Sequence, residues 1–432
     1  MSYPLQRKEI AKGVFFSSIV DKKFKHNRIS VNMLLPLNEE KIPHRAIVPY
    51  LLRQGTKNCP DFTKLNQRLW NLYGASVEAS VDKYGAYQLL CLGITAIDSR
   101  FALEGEDMVE KTAALLAEML LEPNITVGAF PEKDTALERQ YLIDAIEAEV
   151  NDKRAYAIAQ CRQLMCQGEA IALRKLGTVE GAKGITGATA AAAYQEAIET
   201  AQIEIMFVGS GAPDSAQGIF EKKFAGLQRC PIAVDRSLCR KQIPTGQKEL
   251  TEPMDIKQGK LVLGFYLGAA ENRKDFNEKR MAMAILGGTP MSLLFTNVRE
   301  KLSLCYYCQS RYDSTTGIMM VDSGIEMENA AAAREEILRQ IENLKQGDFD
   351  EKIIHETKLI LKTALRATAD SLSSVESWYL TQILNGTQVS PEEDIDYCAQ
   401  VTREQITNAA NKLLLDTVYT LSPRETSEEG EC

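Results

Sequence analysis

The sequence predicts an α+β protein of two homologous domains, each a mostly antiparallel sheet with helices packed on one face. Three observations carry that expectation. Apolar strand-like runs interleave with amphipathic helical stretches but without strict β-α-β alternation. The same order of elements occurs twice. At 432 residues the chain is also too long for one ordinary core.

The duplication is read from spaced residues. Asn66 and Arg68 precede Asp82 and Gly93, as Asn297 and Arg299 precede Asp313 and Gly324, at a constant offset of 231. Phe130-Pro-Glu-Lys133 is echoed by Phe349-Asp-Glu-Lys352, and Ile185-Thr186 opens a helix as Val401-Thr402 does. Each copy begins with apolar strands, Ile29 to Leu35 and Lys260 to Leu267, and continues through a helix to strands within Ser76 to Leu92 and Ser303 to Ile325. Helices with 3.6-residue periodicity follow, Ala136 to Val150 and Phe349 to Leu365. Each copy closes on a helix and a last strand, Glu204 to Val208 and Thr417 to Leu421. The expected boundaries are 1–228 for the first domain, 229–249 for a linker holding Pro231, Pro244 and Gly246, and 250–421 for the second. The acidic stretch 422–432 reads as a flexible tail.

Hydrophobic residues at 45% and charged residues at 25% are ordinary globular values and exclude a fibrous or disordered chain. A net charge of -9, with basic residues interspersed among acidic ones, leaves no basic patch for nucleic acid. The first residues lack a signal-peptide core, and no run reaches the ~18 apolar residues of a membrane span, so a cytoplasmic protein without a membrane partner is expected. Ten cysteines spread over the chain suit reduced, buried thiols. Cys305 and Cys308 have Cys-x-x-Cys spacing, but in a strand residues three apart face opposite ways. Their sulfurs should diverge, with no redox or zinc role.

The segment Ala46-Ile-Val-Pro-Tyr-Leu-Leu-Arg-Gln-Gly-Thr56, followed by Leu72-Tyr-Gly-Ala75, resembles the start of a pitrilysin/insulinase-type zinc peptidase. That family carries His-x-x-Glu-His on a helix just before a Gly-Thr pair. Two imidazoles at i and i+4 hold zinc from one helix face, and the Glu takes a proton from the bound water. Counting back from Gly55-Thr56, the three positions are Ala46, Pro49 and Tyr50. The resemblance implies a third ligand seven residues after Glu138, where this chain has Ala145. Neither alanine nor proline can ligate a metal, and a neutral phenol does so poorly. The only histidines are His26, His44 and His355, none of them in ligand spacing, and no Gly-x-Ser-x-Gly elbow is present. No catalytic residue, metal or cofactor is therefore expected.

The second half resembles the family differently. Leu286-Gly-Gly-Thr-Pro-Met-Ser-Leu-Leu-Phe-Thr-Asn-Val-Arg-Glu-Lys-Leu-Ser-Leu-Cys-Tyr306 matches the stretch in which a Gly-rich turn leads to a helix ending in Arg-Glu-Lys, with a Tyr seven residues after the Arg. In zinc-bearing relatives that pair reaches the substrate backbone. The resemblance thus implies substrate-binding roles for Arg299, Tyr306, Gly287 and Gly288. Guanidinium and phenol are fixed donors suited to carbonyl oxygens. A solvated helix end at Arg299 and a half-buried strand residue at Tyr306 is the plainer alternative.

Together these features imply a catalytically inactive, zinc-less peptidase homologue of two domains. Its expected partners are a peptide and either a zinc-bearing homologous subunit or a second copy of itself. Among bacterial relatives the chain resembles the subgroup associated with 5-aminopentanol modification of elongation factor P. A peptide-binding or scaffolding homodimer, and a peptidase with an unrecognised active site, remain open alternatives.

Overall fold

The computed structural model describes residues 5–424. They form two compact units. One comprises the chain up to Glu147, Leu173–Leu238 and Arg366–Glu392; the other comprises Ala148–Ala172, Cys239–Leu365 and the chain from Glu393. The units are therefore not the two contiguous stretches expected. Each contains one segment taken from within the other's stretch of sequence.

The first unit is built on β1 (Gln6–Ala11), β2 (Val14–Val20), β3 (His26–Pro36), β4 (Ser76–Tyr84), β5 (Tyr87–Ile97) and β6 (Gln202–Gly209). Their order is β1-β2-β6-β3-β5-β4, and the pairs are antiparallel except for β2 with β6. Alternation along β3 separates two faces. Ile29, Val31, Met33 and Leu35 enter the core with the Met108–Leu121 and Gly187–Thr200 helices. Arg28, Ser30 and Asn32 point the other way, yet they are also buried. Such a polar face needs partners. The Leu372–Leu384 helix supplies one in Glu376, which accepts from Arg28 Nε and Ser30 Oγ.

The second unit carries β7 (Lys248–Met254), β8 (Gly259–Tyr266), β9 (Tyr307–Asp313), β10 (Ile318–Ile325) and β11 (Leu414–Pro423), ordered β7-β11-β8-β10-β9 with only β7 and β11 parallel. Leu261, Leu263 and Phe265 face the core. Val262 and Gly264 face the Lys153–Met165 helix. A Cβ on Gly264 would lie 3.0 Å from Met165 Sδ and 3.3 Å from Cys161 Sγ, so the glycine lets this helix settle on the sheet.

Mostly antiparallel sheets with helices on one face describe the body of each unit. The opposite face is also covered, by the exchanged helix. The stretch expected to link the domains is anchored rather than free. Arg229 Nη1 donates to the Lys12 carbonyl at 2.7 Å, and Lys241 pairs with Glu169 at 2.9 Å. The last strand runs past Leu421 to Pro423, which corrects the start of the predicted tail; residues 425–432 of that tail lie outside the described residues. Among the described residues no helix is long and apolar enough to cross a membrane.

Candidate functional site

In the first unit lie Ala46, Pro49, Tyr50 and Ala145, the four positions that the family resemblance marks for a metal. The Ile42–Ala46 and Val48–Leu52 helices are single turns separated at Ile47. Pro49 has no N–H to offer the carbonyl four residues back, which interrupts the ladder there. Ala46 and Pro49 are buried, and Ala46 packs among Ile47, Val48 and Leu51. Tyr50 is half-buried. Burial pushes its phenol above the ordinary value, Arg53 pulls it down, and the Glu138 and Asp82 carboxylates push it further up. It therefore stays a protonated phenol at neutral pH.

Glu138 lies on the Glu132–Ala148 helix and is buried, with its carboxylate engaged by the Gln54 amide. Ala145, two turns further along, is exposed. Gly55 and Thr56 are held for structural reasons. A Cβ on Gly55 would meet the Cys59 carbonyl at 2.7 Å, while Thr56 Oγ1 donates to Glu118 at 2.6 Å and Arg68 to the same carboxylate at 2.7 Å. His44 contacts the Glu40 carbonyl at 3.2 Å, and His26 and His355 are exposed. Among the described residues no group of three or more His, Cys, Asp or Glu could hold a metal ion.

In the second unit, Arg299 ends the wide-turned helix Leu294–Lys301 and is partly exposed. Its guanidinium lies 4.6 Å from the Phe295 ring centroid and 3.6 Å from Glu300. Tyr306 is 58% exposed, and its hydroxyl donates to Glu326 at 2.7 Å. That hydrogen bond, with the Glu326 charge, raises the phenol above its usual value. Both side chains thus face solvent, with Tyr306 tethered to a carboxylate.

Gly287 and Gly288 sit in a wide helical turn, Ala284–Gly288, rather than in an open loop. Gly287 backs directly onto β9, where a Cβ would lie 2.6 Å from the Ser310 nitrogen. Gly288 meets nothing closer than 3.5 Å.

The reading of the stretch holding Cys305 and Cys308 as one strand is corrected. Strand β9 begins only at Tyr307, the chain bends at Tyr306, and Ser303 holds a positive φ of 53°. Strand alternation does not apply across a bend, and both thiols are buried in the same core. Sequence reasoning also missed Glu376 and Arg154 as sheet-covering residues. The alternation Arg28-x-Ser30-x-Asn32 is the signal that could have flagged a polar face awaiting a partner.

Strands β4 and β9 end their sheets, each paired on one side only. Strand β4 runs beside the altered metal positions, close enough for Asp82 to act on Tyr50. At its head Tyr73, Ser76, Thr95 and Leu372 line a shallow groove.

Residues 185–361 match the domain family described as "Peptidase M16 inactive domain". Over 425 residues the chain is 30% identical to the "Probable inactive metalloprotease YmfF" of Bacillus subtilis (strain 168), covering 98% of this chain and 99% of that protein. The crystal structure of a conserved protein from Enterococcus faecalis V583 superimposes with a TM-score of 0.89 at 27% identity, covering 98% and 99% of the two chains. A protease from Helicobacter pylori shares the fold, with a TM-score of 0.78 at 15% identity over 98% and 100%.

Proposed function

Because the chain belongs to the M16 peptidase family, of the pitrilysin type, and lacks that family's metal-binding side chains, we propose that it is a non-catalytic homologue that holds peptides. It serves as the partner of a zinc-bearing subunit. The carrying observation is a contrast within the first unit. The metal positions hold alanine, proline, tyrosine and alanine, while the neighbouring strand β4 is the outermost strand of its sheet. An extended peptide adding to that edge would gain main-chain hydrogen bonds without any zinc. Arg299 and Tyr306 are partly exposed donors of the kind that bind carbonyl oxygens. In a pair with a zinc-bearing homologue, they would supply what that subunit's own site lacks.

Labelled casein-derived peptides titrated by fluorescence anisotropy test the first part, with an expected Kd of micromolar order, roughly -8 kcal/mol. Neighbouring residues of an edge strand point their N–H groups to opposite sides. One of Ala79→Pro and Ser80→Pro therefore blocks the open edge without breaking a bond to β5, and that variant should bind at least about tenfold more weakly, a loss of ~1.4 kcal/mol. Unchanged binding by both folded variants would remove β4 as the seat. In a reconstituted pair, Arg299→Ala should slow turnover while assembly persists.

A further inference from the structure

The chain crosses between its two units five times, where two domains in series would need one crossing. Two of the exchanged segments carry a helix that covers the sheet it joins. Lys153–Met165 comes from the first half of the sequence but lies on the second sheet, against β8, β10 and β11. Leu372–Leu384 comes from the second half but lies on the first sheet, against β3 and β6. Side-chain bonds fix each cover, and each bond joins one half of the sequence to the other. Tyr156 donates to Glu252 Oε1 at 2.8 Å, Arg154 to Gln309 Oε1 at 2.7 Å, and Lys248 Nζ to the Leu164 carbonyl at 2.8 Å. On the first sheet Glu376 accepts from Arg28 and Ser30, and Asn385, just past the helix, accepts from Tyr84 at 2.7 Å.

We propose that the exchange is a reciprocal clasp: a chain cut between its halves stays together as a folded pair, because each half holds the helix that completes the other half's sheet. The stretch that joins the halves is not part of the clasp. Lys241 is anchored to Glu169 at 2.9 Å, and β7 starts at Lys248. Between them Gln242, Ile243, Thr245, Gly246 and Gln247 are exposed. A bond broken there removes no strand from either sheet.

Separation of the halves requires both helices to leave their sheets. On one sheet that uncovers Ala157, Cys161 and Met165 of the helix and leaves the buried Asp322 carboxylate without Arg154. On the other it uncovers Val375, Tyr379 and Ile383 and leaves buried Arg28 without Glu376. Apolar surface returns to water and buried polar groups lose their partners in the same step. Dissociation is thereby tied to unfolding, and a cut chain differs from an intact one in one respect: its folding depends on protein concentration. This holds whether or not the chain binds peptides.

The test replaces residues 243–247 of the full chain with the recognition sequence of a site-specific protease and cuts the folded protein. On gel filtration without denaturant the two fragments should elute together at the position of the uncut chain. In hydrogen exchange the amides of Lys153–Met165 and Leu372–Leu384 should keep the protection they have in the uncut chain. The urea midpoint should rise with protein concentration for the cut chain only. Arg154→Ala, which removes bonds of one clasp, should weaken the association of the cut halves by about tenfold. Fragments that elute apart without urea, loss of protection in either helix, or an association that Arg154→Ala leaves unchanged would overturn the proposal.

Discussion

Strand β3 in the first unit, and β9 with β10 in the second, both turn polar groups toward an exchanged helix, but with the charges reversed. In the first unit the sheet offers Arg28 and the helix answers with Glu376. In the second the helix brings Arg154, which donates to Asp322 on β10 and lies 4.2 Å from the Tyr307 ring centroid. Beneath each cluster is one of the two glycines separated by 231 residues. A Cβ on Gly93 would meet the Arg28 guanidinium at 3.2 Å, and one on Gly324 the Tyr307 ring at 2.5 Å. What the duplication preserves is thus room for a large flat side chain and a buried ion pair that registers the helix, not the identity of either partner. Whether such a pair adds net stability is a separate matter, but removing one member leaves a buried charge alone.

That difference in burial can be broken experimentally. The Arg28 and Glu376 side chains are 9% and 7% exposed, against 31% and 2% for Arg154 and Asp322. Arg28→Ala, which leaves the Glu376 carboxylate buried without its guanidinium, should therefore have the largest effect, destabilising by about 3–5 kcal/mol. Urea unfolding followed by the fluorescence of Trp378, on the Glu376 helix, measures it. Arg154→Ala should cost less, about 1–2 kcal/mol, because Arg311 also approaches Asp322, at 3.9 Å. Equal losses would mean that the two clusters do not differ as their burial implies.

A finer contrast separates the paired glycines of the second unit. Gly287→Ala forces a Cβ against the β9 backbone and should cost about 1–3 kcal/mol. Gly288→Ala meets only ordinary contacts and should stay within about 0.5 kcal/mol. Thermal unfolding of the two variants side by side would sharpen the assignment of Gly287 to packing.

Much of this was legible in the sequence. The strands around Ile29, Ser76, Lys260 and Thr417 were readable because period-2 alternation is a local signal. The altered metal positions were readable because coordination chemistry depends on residue type. The exchange of helices was not legible. The amphipathic stretches at Lys153–Met165 and Leu372–Leu384 reveal an apolar face, but nothing in their periodicity says which sheet it will cover. The bend between Cys305 and Cys308 was hidden for a different reason. It depends on a left-handed Ser303, a conformation that a non-glycine residue takes only when its surroundings impose it.

The account stands on the inability of Ala46, Pro49, Tyr50 and Ala145 to bind zinc. Metal analysis of the purified chain after incubation with excess Zn²⁺ and desalting, run alongside a quenched-peptide cleavage assay, tests this directly. The expected result is substoichiometric zinc and no cleavage that responds to a chelator. One tightly held zinc per chain, with cleavage that disappears on its removal, would contradict it.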